Sequence, residues 1–364
     1  MASKSKGTTK SNNKNKQTTT TSSSSWSWSS YYILSTLPVP VLIIASYLLR
    51  NTITSPPSDY GTGSMFDLIA TRYDFINKAL ALNLDMSWRH RLVAEIVGPN
   101  GEVFDTTNNN YDKVKILDLA TGTADVAILL GKAAAKYNNH NNPTSSSSES
   151  NKADGDSSHH TSTTVLGLDP SQNMLNVGKA KVTNEELTNI VTLELGDARK
   201  LDTIQDDTFN AATMSFGIRN VPEKEVALCE IHRVLKKKKN NKNNGGIIES
   251  KLAIMEFSEP GPNTGILGSL ARLFIRHIVP AMGALLSGHP KEYMHLQKSI
   301  KDFPSPSEFV TLMESIKCPI KGDDGVEIEI DTFGSFRVTE VVNLNFGSVQ
   351  IYVARPILKK YVTE

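Results

Sequence analysis

Three acidic residues stand where an apolar run hands over to a turn, and such carboxylates can take hydroxyl groups of a bound ligand. The stretch Lys115-Ile116-Leu117-Asp118-Leu119-Ala120-Thr121-Gly122-Thr123-Ala124-Asp125 passes from a strand into small side chains. Small residues let a ligand approach the backbone, and ligands of open α/β sheets bind at the carboxyl ends of strands. Taken alone, the stretch reads equally as an ordinary strand-to-helix loop. Asp169 ends Val165-Leu166-Gly167-Leu168 and precedes Pro170 and Ser171. A carboxylate there accepts hydrogen bonds from ribose hydroxyls, caps a helix, or does both. Asp197, before Ala198, follows the third apolar run at 190–195. A fourth, 210–215, leads into Phe216-Gly217-Ile218-Arg219-Asn220-Val221, setting a cation and an amide at the same sheet edge. A lone arginine is usually a surface ion-pair partner, but this position argues for a pocket.

The elements that must position these residues follow from periodicity. Near-continuous apolar strands belong to a parallel sheet covered on both faces. Ahead of them, Phe66, Ile69, Tyr73, Ile76, Leu80 and Leu84 recur at helical spacing, and a second helix is expected over 87–97. On spacing alone, Tyr73, Asp74, Asn77, Trp88 and Arg89 read as caps or packing anchors. Helices are expected at 126–137, after Ser171, at 223–235 and at 305–316, with a fifth strand at 252–257. An apolar helix over 266–286 is either well buried or an entrance for a lipid-like ligand. Two last strands, 336–344 and 349–354, suit the antiparallel edge of a mixed sheet. The fold class is therefore α/β, a Rossmann-like, doubly wound, mostly parallel sheet.

Composition sets further bounds. Of 364 residues, 39 are Lys or Arg and 38 are Asp or Glu, a net charge of +1 that offers no nucleic-acid surface. Residues 1–58 contain no acid but several lysines among Ser, Thr and Asn, which resembles an organelle targeting segment. Its apolar run at 32–49 is of borderline length for a membrane anchor and equally suits a cleaved import signal. Residues 138–164 and 240–246 read as disordered insertions, and 317–332 as an inserted loop. What remains fits one domain. Cys229 and Cys318 are too few for a disulfide framework or a cysteine zinc site, so both are expected to be ordinary thiols.

The order of strands ending in Asp-x-x-x-Gly, Asp, Asp-Ala and Phe-Gly-Ile-Arg-Asn resembles a class I S-adenosylmethionine methyltransferase. The first turn lacks the G-x-G-x-x-G that holds a pyrophosphate at a helix N-terminus. More closely, residues 64–356 resemble the C-methyltransferases of ubiquinone and menaquinone biosynthesis. The resemblance rests on Tyr73-Asp74-Phe75-Ile76-Asn77, Trp88-Arg89, the Asp118 turn, Gly167-Leu168-Asp169-x-Ser171-x-x-Met174-Leu175, Asp207-Thr208-Phe209 and Ser215-Phe216-Gly217-Ile218-Arg219-Asn220-Val221. The segments Lys291-Glu292-Tyr293-x-x-Leu296-Gln297-x-Ser299-Ile300-x-Asp302-Phe303-Pro304 and Asn345-Phe346-Gly347 add to it. A lysine and asparagine run after Leu235 stands where relatives have a tight Pro-Gly-Gly turn.

The resemblance implies a seven-stranded sheet and a cofactor site of Asp118, Gly122, Thr123, Asp169, Asp197, Ala198 and Ser215. Asp169 would hold ribose hydroxyls, Asp197 with Ala198 the adenine, and Thr123 the methionine portion. Arg219, Asn220 and Tyr73 would lie beside a polyprenylated quinol, Arg219 stabilising a phenolate or orienting the water that takes its proton. S-adenosylmethionine would be the methyl donor, with no metal. Expected partners are a membrane surface and a homodimer or quinone-synthesis complex, in the mitochondrial inner membrane on its matrix side, or in a plastid. The rivals are methylation of another lipid or phenol, and a silent scaffold.

Overall fold

The computed structural model describes residues 63–67, 70–104, 113–141, 162–237, 250–261, 264–287, 290–320 and 332–360, with five helical positions between 41 and 48. The leader expected at 1–58, including most of its apolar run at 32–49, lies outside the described residues, as do the insertion at 240–246 and the middles of 138–164 and 317–332.

Seven strands form one sheet in the order β3-β2-β1-β4-β5-β7-β6. They are β1 Lys113–Leu119, β2 Ser162–Asp169, β3 Val191–Leu195, β4 Ala211–Ser215, β5 Lys251–Phe257, β6 Thr332–Leu344 and β7 Val349–Lys360. The first five run parallel, and β7 pairs antiparallel with both β5 and β6. The order reverses beside β1, whose Leu117 faces Leu166 on one side and Ala212 on the other. That is the switch point at which such sheets bind ligands.

The helices are α1 Ser64–Asp67, α2 Ala70–Leu80, α3 Asp85–Val97, α4 Asp125–Asn141, α5 Gln172–Asn184, α6 Lys224–Val234, α7 Gly265–Leu273, α8 Val279–Ser287, α9 Pro290–Asp302 and α10 Pro306–Ser315. Alternation along the strands sends side chains to two cores. Val114 and Ile116 pack with Trp88, Leu92 and Ile96 of α3 and Leu130 of α4. Leu117 and Leu119 pack on the other face with Leu228 and Ile231 of α6 and Phe309 and Met313 of α10. The expected apolar helix at 266–286 is continuous from Gly265 to Ser287, with α7 and α8 joined through a π-helical turn at Phe274–Ile278.

Two expected boundaries move because a ladder or a helix recruits polar residues. α4 runs on to Asn141, and β2 starts at Ser162, where Ser162, Thr163 and Thr164 pair with Lys113, Val114 and Lys115. The insertion expected at 138–164 is thus shorter at both ends. β6 and β7 are likewise longer than the apolar pattern alone indicates, since their antiparallel pairing extends to Thr332 and Lys360.

The turn after β1 places Ala120, Gly122 and Ala124 in the left-handed region, with φ of 50°, 56° and 68°, which costs a non-glycine residue about 1 kcal/mol. A Cβ on Gly122 would meet nothing within 4 Å, so this position faces an open cleft. Across from it, a Cβ on Gly217 would lie 2.5 Å from the Ala120 Cβ. Glycine is what lets the exit of β4 approach the turn of β1 this closely.

The cysteines are not free thiols, contrary to the sequence expectation. Cys229 of α6 and Cys318 form a disulfide with Cα atoms 5.0 Å apart, within the range such bonds require. Cys318 is brought there by backbone hydrogen bonds to Gly334 at the start of β6. The two cysteines are 89 residues apart in sequence, so no local pattern reveals the pairing. Closing a loop of that length restricts the unfolded chain, and native disulfides of this kind contribute about 2–4 kcal/mol. Urea unfolding with and without reductant should therefore differ by that amount, the reduced protein being the less stable; equal midpoints would show that the bond contributes nothing.

Candidate functional site

Two cavities meet above the carboxyl ends of β1 and β4. One is a narrow cleft lined by Gly122, Asp169, Gly196, Asp197, Ala198 and Ser215. The other, about 480 Å³, is walled mostly by apolar and aromatic side chains from α2, α3, α7 and β5, and includes Arg89, Arg219 and His295. Phe66, Tyr73, Phe216, Asn220 and His295 line both.

Asp169 is buried, and its two oxygens accept the backbone N–H groups of Gly122 and Ser171, each at 2.8 Å. The helix cap is Ser171, whose hydroxyl accepts from the Met174 N–H; Asp169 supports that turn from outside. Burial pushes the Asp169 carboxyl up to about 6, against the pull of its two N–H donors. Asp197 is half-buried. Burial pushes its carboxyl up, but the hydrogen bonds and charge of Arg199 outweigh this and hold it below the usual range. Arg199 in turn donates to Glu223 at 2.6 Å. The Ser215 hydroxyl is buried in the cleft with no hydrogen-bond partner among the described residues, a polar atom aimed where a ligand would satisfy it.

Two of the expected cofactor residues are not on the cleft wall. Asp118 accepts the hydroxyls of Thr121 and Thr213, each at 2.6 Å, beneath the turn, and burial raises it to about 6. It ties β1 to β4 and shapes the loop that carries Gly122. Thr123 donates to Asp74 at 2.7 Å and accepts from Lys181 at 2.9 Å. Lys181 also bonds Asp74 and Asp125, both at 2.6 Å, and Arg89 lies between Asp85 and Asp125. This network locks α2 to α4 and α5, and thereby holds Tyr73, next to Asp74, over the junction of the cavities.

Arg219 sits in a single 3₁₀ turn, Ile218–Asn220, directly after β4. Its Nη1 donates to Glu256 at 2.5 Å and to the Phe216 carbonyl at 2.6 Å. Both side chains are shut off from solvent, at 5% and 0% exposure. Glu256 also accepts the backbone N–H groups of Arg219 and Phe257. Phe216, held at φ 56°, stacks on Phe257 with centroids 4.3 Å apart, and Trp88 meets both edge-on. Flat aromatic faces and a guanidinium suit an aromatic ring bearing an oxygen. Tyr73 hydrogen-bonds Asn77; burial holds its phenol above the ordinary value, despite nearby Arg219 and Arg89. It is a hydrogen-bond donor at neutral pH.

Sequence reasoning missed Glu256 and His295. Glu256 had one visible signal, a carboxylate inside the apolar run Leu252-Ala253-Ile254-Met255-Glu256-Phe257, where a charge needs a partner. Among the described residues no group of three or more His, Cys, Asp or Glu could hold a metal ion.

Residues 57–319 match the ubiE/COQ5 methyltransferase family. The chain is 30% identical over 251 residues to the demethylmenaquinone methyltransferase of Deinococcus radiodurans, covering 69% of this chain and 82% of that protein. It is 32% identical to the ubiquinone/menaquinone biosynthesis C-methyltransferase UbiE of Syntrophotalea carbinolica, covering 70% and 84%. Among solved structures, a SAM-dependent methyltransferase from Aquifex aeolicus aligns over 74% of this chain and 97% of its own at 17% identity, with a TM-score of 0.38.

The Arg219–Glu256 pair makes a stability prediction. Removing one member strands a buried charge, which costs about 3–5 kcal/mol, so Glu256→Ala should lower urea stability by that much. The double variant Arg219→Met/Glu256→Leu should be more stable than Glu256→Ala, because no charge is left without its partner. Equal losses in both would refute this account.

Proposed function

We propose, starting from the fact that this chain belongs to the ubiE/COQ5 methyltransferase family and is an S-adenosylmethionine-dependent methyltransferase, that it methylates a ring carbon of a polyprenylated quinol. The observation that carries this reading is the roughly 480 Å³ cavity, aromatic at its floor and apolar at its mouth, that opens onto the carboxylate-lined cleft. Ring and tail of a prenylated quinol divide in the same way. The substrate class is the benzoquinol or naphthoquinol of ubiquinone or menaquinone synthesis.

S-adenosylmethionine supplies a methyl group on a sulfonium, open to attack by an electron-rich carbon. Asp169, with lone pairs left beside its two N–H donors, takes the ribose hydroxyls. Asp197 and Ala198 border the adenine, Gly122 admits the ligand to the backbone, and Ser215 gains a partner for its buried hydroxyl. Tyr73 and Asn220, which line both cavities, orient the ring hydroxyl. Arg219 stabilises the negative charge that grows on the ring oxygen. It does not take the proton itself, since an arginine stays charged in proteins. Holding the two reactants in attack geometry supplies much of the acceleration.

The mouth of the larger cavity supports a membrane surface as partner. Leu82, Leu267, Leu270 and Phe346 line it and are exposed, and Ile266 beside them is 81% exposed. Exposed apolar groups gathered at one opening mark an interaction surface, and a lipid substrate must leave its bilayer there. The acid-free leader fits delivery to a mitochondrion or plastid.

Three measurements test the reading. Purified protein given S-adenosylmethionine and a short-chain benzoquinol or naphthoquinol should yield a product one methyl group heavier by mass spectrometry. Methylation of other phenols only, or cofactor binding with no turnover of any, would replace the reading by one of its rivals. Calorimetric affinity for S-adenosylmethionine should fall about tenfold per pH unit below pH 6, because Asp169 must be ionised to accept both hydroxyls. Asp169→Asn should bind weakly with that pH dependence gone; an unchanged profile removes Asp169 from the ribose. Ile266→Asp should weaken sedimentation with phosphatidylcholine vesicles by about tenfold, the loss of one buried apolar side chain, while sparing turnover of a soluble short-chain quinol. Undiminished vesicle binding would place the membrane face elsewhere.

A further inference from the structure

Methylation of a phenolic ring carbon needs a group to remove the hydroxyl proton, and Arg219 cannot do so. The acceptor must reach the point where the two cavities join, since there the ring carbon meets the methyl group. Five described residues line both cavities. Phe66 and Phe216 carry no exchangeable group, and the amide of Asn220 is no base. Tyr73 is itself a protonated phenol, its proton held more tightly than usual by burial. That leaves His295.

We propose that the imidazole of His295 is the catalytic base that receives the hydroxyl proton of the quinol, an assignment that rests on the quinol reading above. His295 lies on α9, which packs over the 3₁₀ turn of Arg219 and Asn220, and it is buried, at 7% exposure. The charged and titratable groups around it are Arg219 from that turn, Tyr73 from α2, and Lys298 and Asp302 from its own helix. Burial, then the charges of Arg219 and Lys298, lower the imidazole to about 4, with Asp302 opposing them. The ring is therefore neutral at physiological pH, with a lone pair available. Once a phenolate forms beside it, the new negative charge favours imidazolium, so transfer becomes easier as the reaction proceeds.

The balance closes. The O–H bond of the quinol breaks, its proton passes to the imidazole, and its electron pair moves into the ring. The ortho carbon forms a bond to the methyl group as the sulfur–carbon bond breaks, leaving a neutral thioether and a cyclohexadienone. The proton on that carbon then departs to water, and the imidazolium returns its proton to the oxygen as aromaticity is restored. One proton is released in total, as the lost sulfonium charge requires.

The test uses the full chain, S-adenosylmethionine and a soluble short-chain quinol, with His295→Gln and His295→Ala. Calorimetry of the cofactor and of the unreactive short-chain quinone reports folding and binding apart from turnover. Both variants should bind both ligands as the wild type does yet lose about 100-fold or more in kcat/KM, the usual contribution of a general base. Their rates should climb with pH as hydroxide takes over, and added imidazole should restore part of the activity of His295→Ala. Turnover within threefold of the wild type, or an equal loss at every pH without rescue, would overturn the assignment, as would loss of binding in both variants. Should the wild type bind cofactor but neither bind nor methylate the quinol, the substrate reading fails first, in the unmutated protein, and the assignment falls with it.

Discussion

The arrangement above the sheet depends on one buried ion pair, Arg219 with Glu256. Removing two such charges from water costs several kcal/mol each, and only near-complete hydrogen bonding offsets this. The carboxylate meets the condition with three donors, the guanidinium and the N–H groups of Arg219 and Phe257. The guanidinium is further held by the Phe216 carbonyl. The two bonds from Arg219 to Glu256 join the exit of β4 to the end of β5, and the bonds to Phe257 and Phe216 fix each end locally. Phe216 and Phe257 are stacked because their backbones are pinned to the same pair, and the left-handed backbone at Phe216 is tolerated because the surroundings leave it no alternative. A hydrophobic replacement would serve stability as well, so the charge at this depth is better understood as something the cavity uses.

Three carboxylates that look alike in the sequence have three different fates. Asp169 is satisfied by backbone N–H groups, Asp118 by two hydroxyls and Asp197 by a guanidinium. Only the first and last reach the cleft. A strand-end acid can be located from an apolar run, but its rotamer and partners are decided by the fold: Thr213 on β4 for Asp118 and Gly122 after β1 for Asp169, while Asp197 is claimed by Arg199 two residues on. The same holds for Thr123, which Lys181 and Asp74 claim from two separate helices.

The strands and their order of use were legible because parallel strands are buried on both faces and leave an uninterrupted apolar signal. Their lengths were less so: polar Ser162, Thr163 and Thr164 join β2 because β1 offers them a ladder, not because of their own preference. Long-range pairings stayed hidden for a related reason. Glu256 lies 37 residues from Arg219, and Cys229 lies 89 from Cys318; neither separation has a period that a sequence can display. His295 was masked by an amphipathic helix, in which a histidine among Met294, Leu296 and Ile300 reads as part of a packing face.

Under the proposed function, the two cavities would also solve a problem of solubility. On the proposed reading, a cationic, water-soluble methyl donor and a prenylated ring have no common solvent, so each would arrive by its own route and meet at the buried junction. The narrow cleft carries the polar groups Asp169, Asp197 and Ser215 on its wall, while the wide one opens through Leu82, Leu267, Leu270 and Phe346. Phe66, Tyr73, Phe216, Asn220 and His295 form the partition that both share. In that buried position a guanidinium would act on a nascent phenolate far more strongly than in water. The same burial keeps the imidazole of His295 neutral, so under the proposal the fold that brings the reactants together also sets the protonation state that ring activation would use.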